Sequence, residues 1–150
     1  MANYITVLND LLNQFPRYQF DRAVETLNGD RYVKKLKTWG QFTALLYAQA
    51  SGKSSLREIE NGLLLHSNRA YHLGLPGKVP HSTLADANKR RDWKIYQSLF
   101  YAMLERCRSL TPTRKFKFKN PLYSLDSTII ELALSAFPWS KCSKRRGAIK

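Results

Sequence analysis

Thr111-Pro112-Thr113-Arg114-Lys115-Phe116-Lys117-Phe118-Lys119 is where the pattern of the chain changes. Before it, apolar residues return every three or four positions, the repeat of a helix with one buried face. Within it, Lys115, Lys117 and Lys119 alternate with Phe116 and Phe118, the period of two expected of a half-buried strand. After it, residues 122–134 read Leu-Tyr-Ser-Leu-Asp-Ser-Thr-Ile-Ile-Glu-Leu-Ala-Leu, rich in β-branched and apolar side chains. The change of period predicts a mainly α-helical domain over 1–112 that hands over to the first strands of a second domain over 113–150.

Working back toward the N-terminus, the helical region divides at its turn residues. Ile5, Leu8, Leu12 and Phe15 step by three and four until Pro16 stops the helix. A second helix is predicted from Tyr18 to Leu27, closed by Asn28-Gly29-Asp30. Thr38 is placed to cap a third, with Trp39, Phe42, Leu45, Leu46 and Gln49 on one face and Gly52 beyond its end. Ser55-Leu56-Arg57-Glu58 is a capping box opening a helix to about Leu65. Leu73 to Pro80 reads as a loop. Thr83 and Asp86 form a second box, predicted to start the longest helix, with Trp93, Tyr96, Phe100, Met103 and Cys107 as its core stripe. Thr111-Pro112 ends it.

The chain has 150 residues, 43% of them apolar, enough to bury a core and to make intrinsic disorder a poor description. Its net charge of +14 is unevenly spread. Basic residues number two against four acidic in 1–30, eight against two in 31–81, ten against three in 82–120, and five against two in 121–150. That imbalance points to a polyanionic partner. Leu99-Phe100-Tyr101-Ala102-Met103-Leu104 is far shorter than the roughly 20 residues of a spanning helix, so no membrane is expected. The start carries no signal-peptide pattern, and Cys107 and Cys142 read as reduced thiols, so a cytoplasmic location is expected. His66, His72 and His81 suit no common zinc spacing.

Few residues offer chemistry. Gly52-Lys53-Ser54 looks like the tail of a P-loop, but Tyr47 stands where the first glycine is required and no strand precedes it. Asp126 lies inside an apolar, strand-like run, where a carboxylate needs a cation, hydrogen bonds or exposure at a strand end. Either a solvent-facing aspartate or a ligand for a hard divalent cation fits that position. Glu131, five residues on, falls on the opposite face of an extended strand. The basic residues form two groups. Asn88, Lys89, Arg90 and Arg91 are expected in the early turns of the long helix, where Asn suits adenine and Arg suits guanine in a major groove. Lys144, Arg145 and Arg146, with Lys141, are a plainer phosphate-binding cluster.

Several short segments taken in order resemble the DDE transposases of bacterial insertion sequences, in particular the IS-four group. They are Trp39-Gly40-Gln41-Phe42 with Ala48-Gln49, Ser55-Leu56-Arg57-Glu58-Ile59-Glu60, His72-Leu73-Gly74-Leu75, Ser82 to Asn88 followed by Arg90-Arg91-Asp92, Leu125-Asp126-Ser127-Thr128, Phe137-Pro138-Trp139 and Gly147-Ala148-Ile149-Lys150. The resemblance implies a helical DNA-binding domain over 1–112 and the start of an RNase H-like α/β catalytic domain over 113–150. It also implies double-stranded DNA carrying terminal inverted repeats as partner, possible dimers, and Mg2+ or Mn2+ held by two aspartates and a glutamate. Asp126 corresponds to the first of those acids. The family's second aspartate and its glutamate have no counterpart after Asp126, so no tightly bound metal and no cutting or joining of DNA is expected from this chain alone.

Two readings of function follow. One is the N-terminal part of a transposase that binds element ends. The other is a stand-alone DNA-binding module that competes with or regulates transposition. Charge alone also suits an RNA-binding accessory protein, with nothing more specific behind it.

Overall fold

Thr38–Ala50 forms the helix around which the other helices of the N-terminal unit pack. The computed structural model describes residues 4–110, 130–132, 141–143 and 146–149. The chain divides into two units, Met1–Pro112 and Thr113–Lys150. In the first, α1 (Tyr4–Leu12), α2 (Arg17–Thr26), α3 (Thr38–Ala50), α4 (Leu56–Leu64) and α5 (Ser67–Ala70) follow in order. A single 3-10 turn, Tyr71–Leu73, then leads through a loop to α6 (His81–Arg90) and α7 (Lys94–Leu110). No helix among the described residues is long and apolar enough to cross a membrane.

α3 is buried on more than the face its large side chains suggest. Thr38, Gly40, Gln41, Thr43, Ala44 and Ala48 are its buried residues, whereas Trp39, Phe42, Leu45 and Leu46 are only half-buried. Ala44 and Ala48 let α4 and α6 approach, packing with Leu36, Ile59, Leu63, Leu75 and Leu84. On another side, Trp39 and Phe42 join Phe20, Val24, Ile95, Leu99 and Tyr96, linking α2 and α7. A third cluster packs Leu8 and Leu12 of α1 with Leu73 against the same two aromatic rings and Leu46. The rings meet largely edge to face, with Phe15–Phe42 centroids at 4.9 Å and Phe20–Trp39 at 5.3 Å, a geometry favoured by ring quadrupoles. The Tyr96 hydroxyl, buried among them, has no hydrogen-bond partner among the described residues. Burial pushes its pKa up to about 12.

The region expected as one long helix is two. α6 ends at Arg90, Arg91 turns extended at φ −79°, ψ 141°, and α7 begins at Lys94, whose N–H donates to Asp92 Oδ1 at 2.9 Å. The expected core stripe is corrected with it. Of the stripe, Tyr96 packs against the core as expected, but Ile95 and Leu99 are the residues buried, and Trp93 and Phe100 stand 63% and 61% exposed. Thr83 does not cap α6, which starts at His81 behind Pro80. Its first N–H is instead met by Glu60 of α4, whose Oε2 accepts from His81 N at 3.0 Å and contacts His81 Nδ1 at 2.6 Å. Ser55 does cap α4, its hydroxyl accepting from Glu58 N at 3.3 Å, while the Glu58 carboxylate turns back to Ser54 N at 3.1 Å.

The Glu60 contact has a measurable consequence. The His81 backbone N–H, followed by its side chain and by charge from His81 and Lys78, holds the Glu60 carboxyl below the ordinary value of 4.5. A carboxyl lowered in the folded state stabilises it above the unfolded value, and that contribution is lost as pH falls through the folded one. Glu60→Gln is therefore expected to lower the melting temperature at neutral pH. The gap to the parent should close on titration well below 4.5, where the parent carboxyl is protonated too. A gap that stays constant across that range would show that Glu60 acts by packing alone.

In the second unit, β1 (Ile130–Leu132), β2 (Lys141–Ser143) and β3 (Arg146–Ile149) pair antiparallel in the order β1-β3-β2. Ile130 faces Ile149 and Leu132 faces Gly147, and the β2–β3 register is irregular between Lys141 and Ser143. The alternating run at 115–119 and most of the expected strand at 122–134 lie outside the described residues.

Candidate nucleic-acid interface

The loop between α2 and α3 opens on Asn28 in the left-handed region at φ 52° and carries Gly29 where a Cβ would stand 2.7 Å from Ile95 Cδ1. A larger residue here would have to push the Ile95 side chain aside within the core. Asp30 follows, and its Oδ1 accepts from Thr38 N at 2.7 Å and Thr38 Oγ1 at 2.8 Å. The α3 start is thus capped from eight residues upstream, with Thr38 as its first residue rather than its cap.

Arg91 ties this loop to the end of α6. Its Nε donates to Gly29 O at 3.4 Å, one terminal nitrogen to Gln41 Oε1 at 2.6 Å, and the other to Leu36 O. The last also lies 3.6 Å from Asp30 Oδ1. Gln41, itself 1% exposed, uses its Nε2 to donate to Asn88 Oδ1 at 2.5 Å. The Arg91 side chain is 5% exposed. Burial pulls its pKa below the ordinary arginine value, and Asp30 opposes that shift. A planar fork of five donors can serve two carbonyls, an amide and a carboxylate together, which a lysine ammonium cannot reproduce.

The residues expected to read DNA therefore separate. Arg91 is inside the protein, and Asn88 is exposed but spends its side-chain carbonyl on Gln41. Lys89 and Arg90 are exposed, Arg90 pairing with Asp86 one turn earlier at 3.1 Å. All four lie at the C-terminal end of α6 or just after it, not in the opening turns of a long helix. Lys144, Arg145 and Asp126 fall outside the described residues, and Arg146 is the first residue of β3. Among the described residues no group of three His, Cys, Asp or Glu side chains could hold a metal ion.

A basic loop that matches none of the sequence motifs stands across a groove from Arg90. Arg31, Lys34, Lys35 and Lys37 are all exposed, with Tyr32 among them at 88% exposure. Together with the outer side of α6 this loop borders an open groove of about 590 Å3, lined by Tyr32, Lys34, Lys35, Asp86 and Arg90 among others. No ion pair engages Lys34, Lys35, Lys37 or Lys89 among the described residues. The signal was present as four basic residues and a tyrosine within the seven residues 31–37. It escaped because it matches no helix or strand period.

Residues 3–76 match a known family model. The family is DUF4372, described as a Domain of unknown function. No curated protein and no solved structure matches the chain. The DUF4372 match takes in α1 to α5, the 3-10 turn and the whole basic loop, and it ends before α6. Both borders of the groove are thus present in this chain, one inside the DUF4372 segment and one beyond it.

Proposed function

We propose that residues 4–110 are a DNA-binding domain that grips duplex DNA across this groove. The observation that carries the proposal is the meeting of the exposed Arg31, Lys34 and Lys35 with Arg90 along one groove, whose two borders are clamped together by the buried Arg91, with Lys89 exposed beside Arg90 at the end of α6. Exposed lysines without acidic partners are suited to displacing counterions from phosphates. With Arg91 buried and the Asn88 carbonyl held by Gln41, Lys89 and Arg90 act here on the DNA backbone. Any reading of bases would fall to the exposed Ser82, Ala85 and Asp86 side of α6.

The finer reading rests on the resemblance to IS-four DDE transposases. In it the DNA is the terminal inverted repeat of an insertion sequence, residues 113–150 begin an RNase H-like catalytic domain, and Asp126 is the first of three acids that hold Mg2+ or Mn2+. A stand-alone DNA-binding module remains the second reading, and the groove serves both equally.

Binding to a duplex pool with a randomised centre, followed by titration in increasing salt, tests the proposal. If about 6 phosphates are neutralised, log K against log[salt] should slope near −5, and Lys89→Ala or Arg90→Ala should each flatten it by about 1. These variants should melt like the parent. Enrichment of one sequence from the pool would support recognition of element ends. Duplex binding that ignores salt, or no binding at all, would sink the reading.

A further inference from the structure

We propose that Tyr32 is a stacking platform for an unpaired base of the DNA held in the groove, an inference that rests on the duplex-binding reading above. Tyr32 is 88% exposed, the most exposed of the large apolar and aromatic side chains in the described residues, and it packs into no cluster. One face of its ring carries the Arg31 guanidinium, with Cζ 5.0 Å from the centroid and a terminal nitrogen 3.2 Å from Oη. The other face is left to solvent. A cation behind an aromatic ring, set in a lysine-rich loop, is the combination that takes a base on its π face and the adjoining phosphates on ammonium groups.

The backbone supports an assigned position rather than a loose tip. Tyr32 has φ +60°, the left-handed region that bulky residues rarely enter. Such a conformation persists only when its surroundings impose it, and it is commonest at functional sites. Here the surroundings are identifiable. Arg31 N donates to Asn28 O and Val33 N to Asp30 O, both at 3.1 Å, closing tight turns on either side. Arg91 then pins the loop at Gly29 and again at Leu36, so Tyr32 is held out between two fixed points. A duplex interior offers no free base face, so the platform has an occupant only where strands are frayed, nicked or single-stranded. Lys34, Lys35 and Arg90 line the groove next to it and would carry the paired part.

The full chain should be tested by fluorescence anisotropy at fixed salt against a blunt duplex and the same duplex bearing a short single-stranded overhang. The parent should prefer the overhang, and Tyr32→Ala should bind it roughly tenfold more weakly while holding the blunt duplex as before. Tyr32→Phe should keep the preference. Tyr32→Gly relieves the left-handed backbone, so it should melt no lower than the parent and still lose the preference, an outcome that a purely structural tyrosine would not give. Equal loss on both probes, no preference in the parent, or Tyr32→Phe failing like Tyr32→Ala would each overturn the inference. An RNA overhang bound more tightly than the DNA one would overturn its assignment to DNA. Blunt-duplex binding that persists while Tyr32 proves silent defeats this inference alone. Absence of blunt-duplex binding defeats the duplex-binding reading beneath it.

Discussion

Arg91→Ala is expected to remove about 3 kcal/mol of folding stability, a large share of the roughly 5–15 kcal/mol available to a domain of this size. The loss has two sources. Gln41 Oε1, Leu36 O and Gly29 O lose their donor, and stranded buried acceptors cost about 1–3 kcal/mol each before relaxation. Asp30 loses a cation at 3.6 Å, although its 28% exposure allows water to replace part of that interaction. That access of water to Asp30 keeps the loss at the low end of the about 3–5 kcal/mol typical of broken buried pairs. Urea unfolding should show a lower midpoint with an unchanged slope. Arg91→Lys should recover only a fraction, because one ammonium cannot span Gly29, Gln41 and Leu36 together. Duplex binding by Arg91→Ala, measured where it is still folded, should weaken through release of the 29–36 loop. That contrasts with Lys89→Ala and Arg90→Ala, which weaken binding at full stability. An Arg91→Ala protein as stable as the parent would remove the clamp from the account of the groove.

The second large effect concerns where the folding unit ends. A chain stopping at Pro76, the limit of the DUF4372 match, is expected to show no cooperative thermal transition. It would lack Leu84 at 1% exposure, Ile95 at 0% and Leu99 at 5%, which close two of the three core clusters. Phe20, Val24 and Leu36 would then face water, and Gln41 would lose both partners. Burying each large side chain contributes about 1.5–3 kcal/mol, so opening this many faces removes more than a marginal domain holds. A chain stopping at Leu110 should keep a sharp transition near that of the full chain. A sharp melt from the shorter piece would show that the DUF4372 segment is a domain by itself and that α6 and α7 are additions.

The elements marked by local chemistry were legible in the sequence. Asn28-Gly29, Gly52 and the Ser55–Glu58 box place the ends of α2 and α3 and the start of α4 because each acts on its own backbone, whereas α1 stops at Leu12, short of the expected Phe15, and Pro16 stands immediately before α2. The break between α6 and α7 was marked only by Asp92, a residue suited to starting a helix that accepts from Lys94 N, with neither glycine nor proline in Arg91-Asp92-Trp93 to reinforce it. It exists because extending Arg91 lets its guanidinium reach Gly29, Gln41 and Leu36, partners 50 to 62 residues away. The misplaced core stripe on α7 has the same origin. Large rings at Trp93 and Phe100 outweighed Ile95 and Leu99 in a reading by size, while the helix break determined which face turned inward. On α3 the same weighting by bulk overlooks Gly40, Ala44 and Ala48, small residues that are buried where α4 and α6 approach. Of the proposed interface, the charge of Lys89 and Arg90 was visible, and the fate of Arg91 was not. A basic residue headed inward has the same letter as one headed out.

One guanidinium shared among Gly29, Asp30, Leu36 and Gln41 also limits how this sequence can drift. Two of the four partners are backbone carbonyls, which no substitution can tailor, so the adjustable positions are 30, 41 and 91, with 88 joined through Gln41. Once the arginine is gone, Asp30 is a half-buried acid without its cation and Gln41 an amide short of a donor, and further changes there become cheap or even helpful. Divergence should therefore proceed in jumps at these positions, with whole sets exchanged together and few viable intermediates between them.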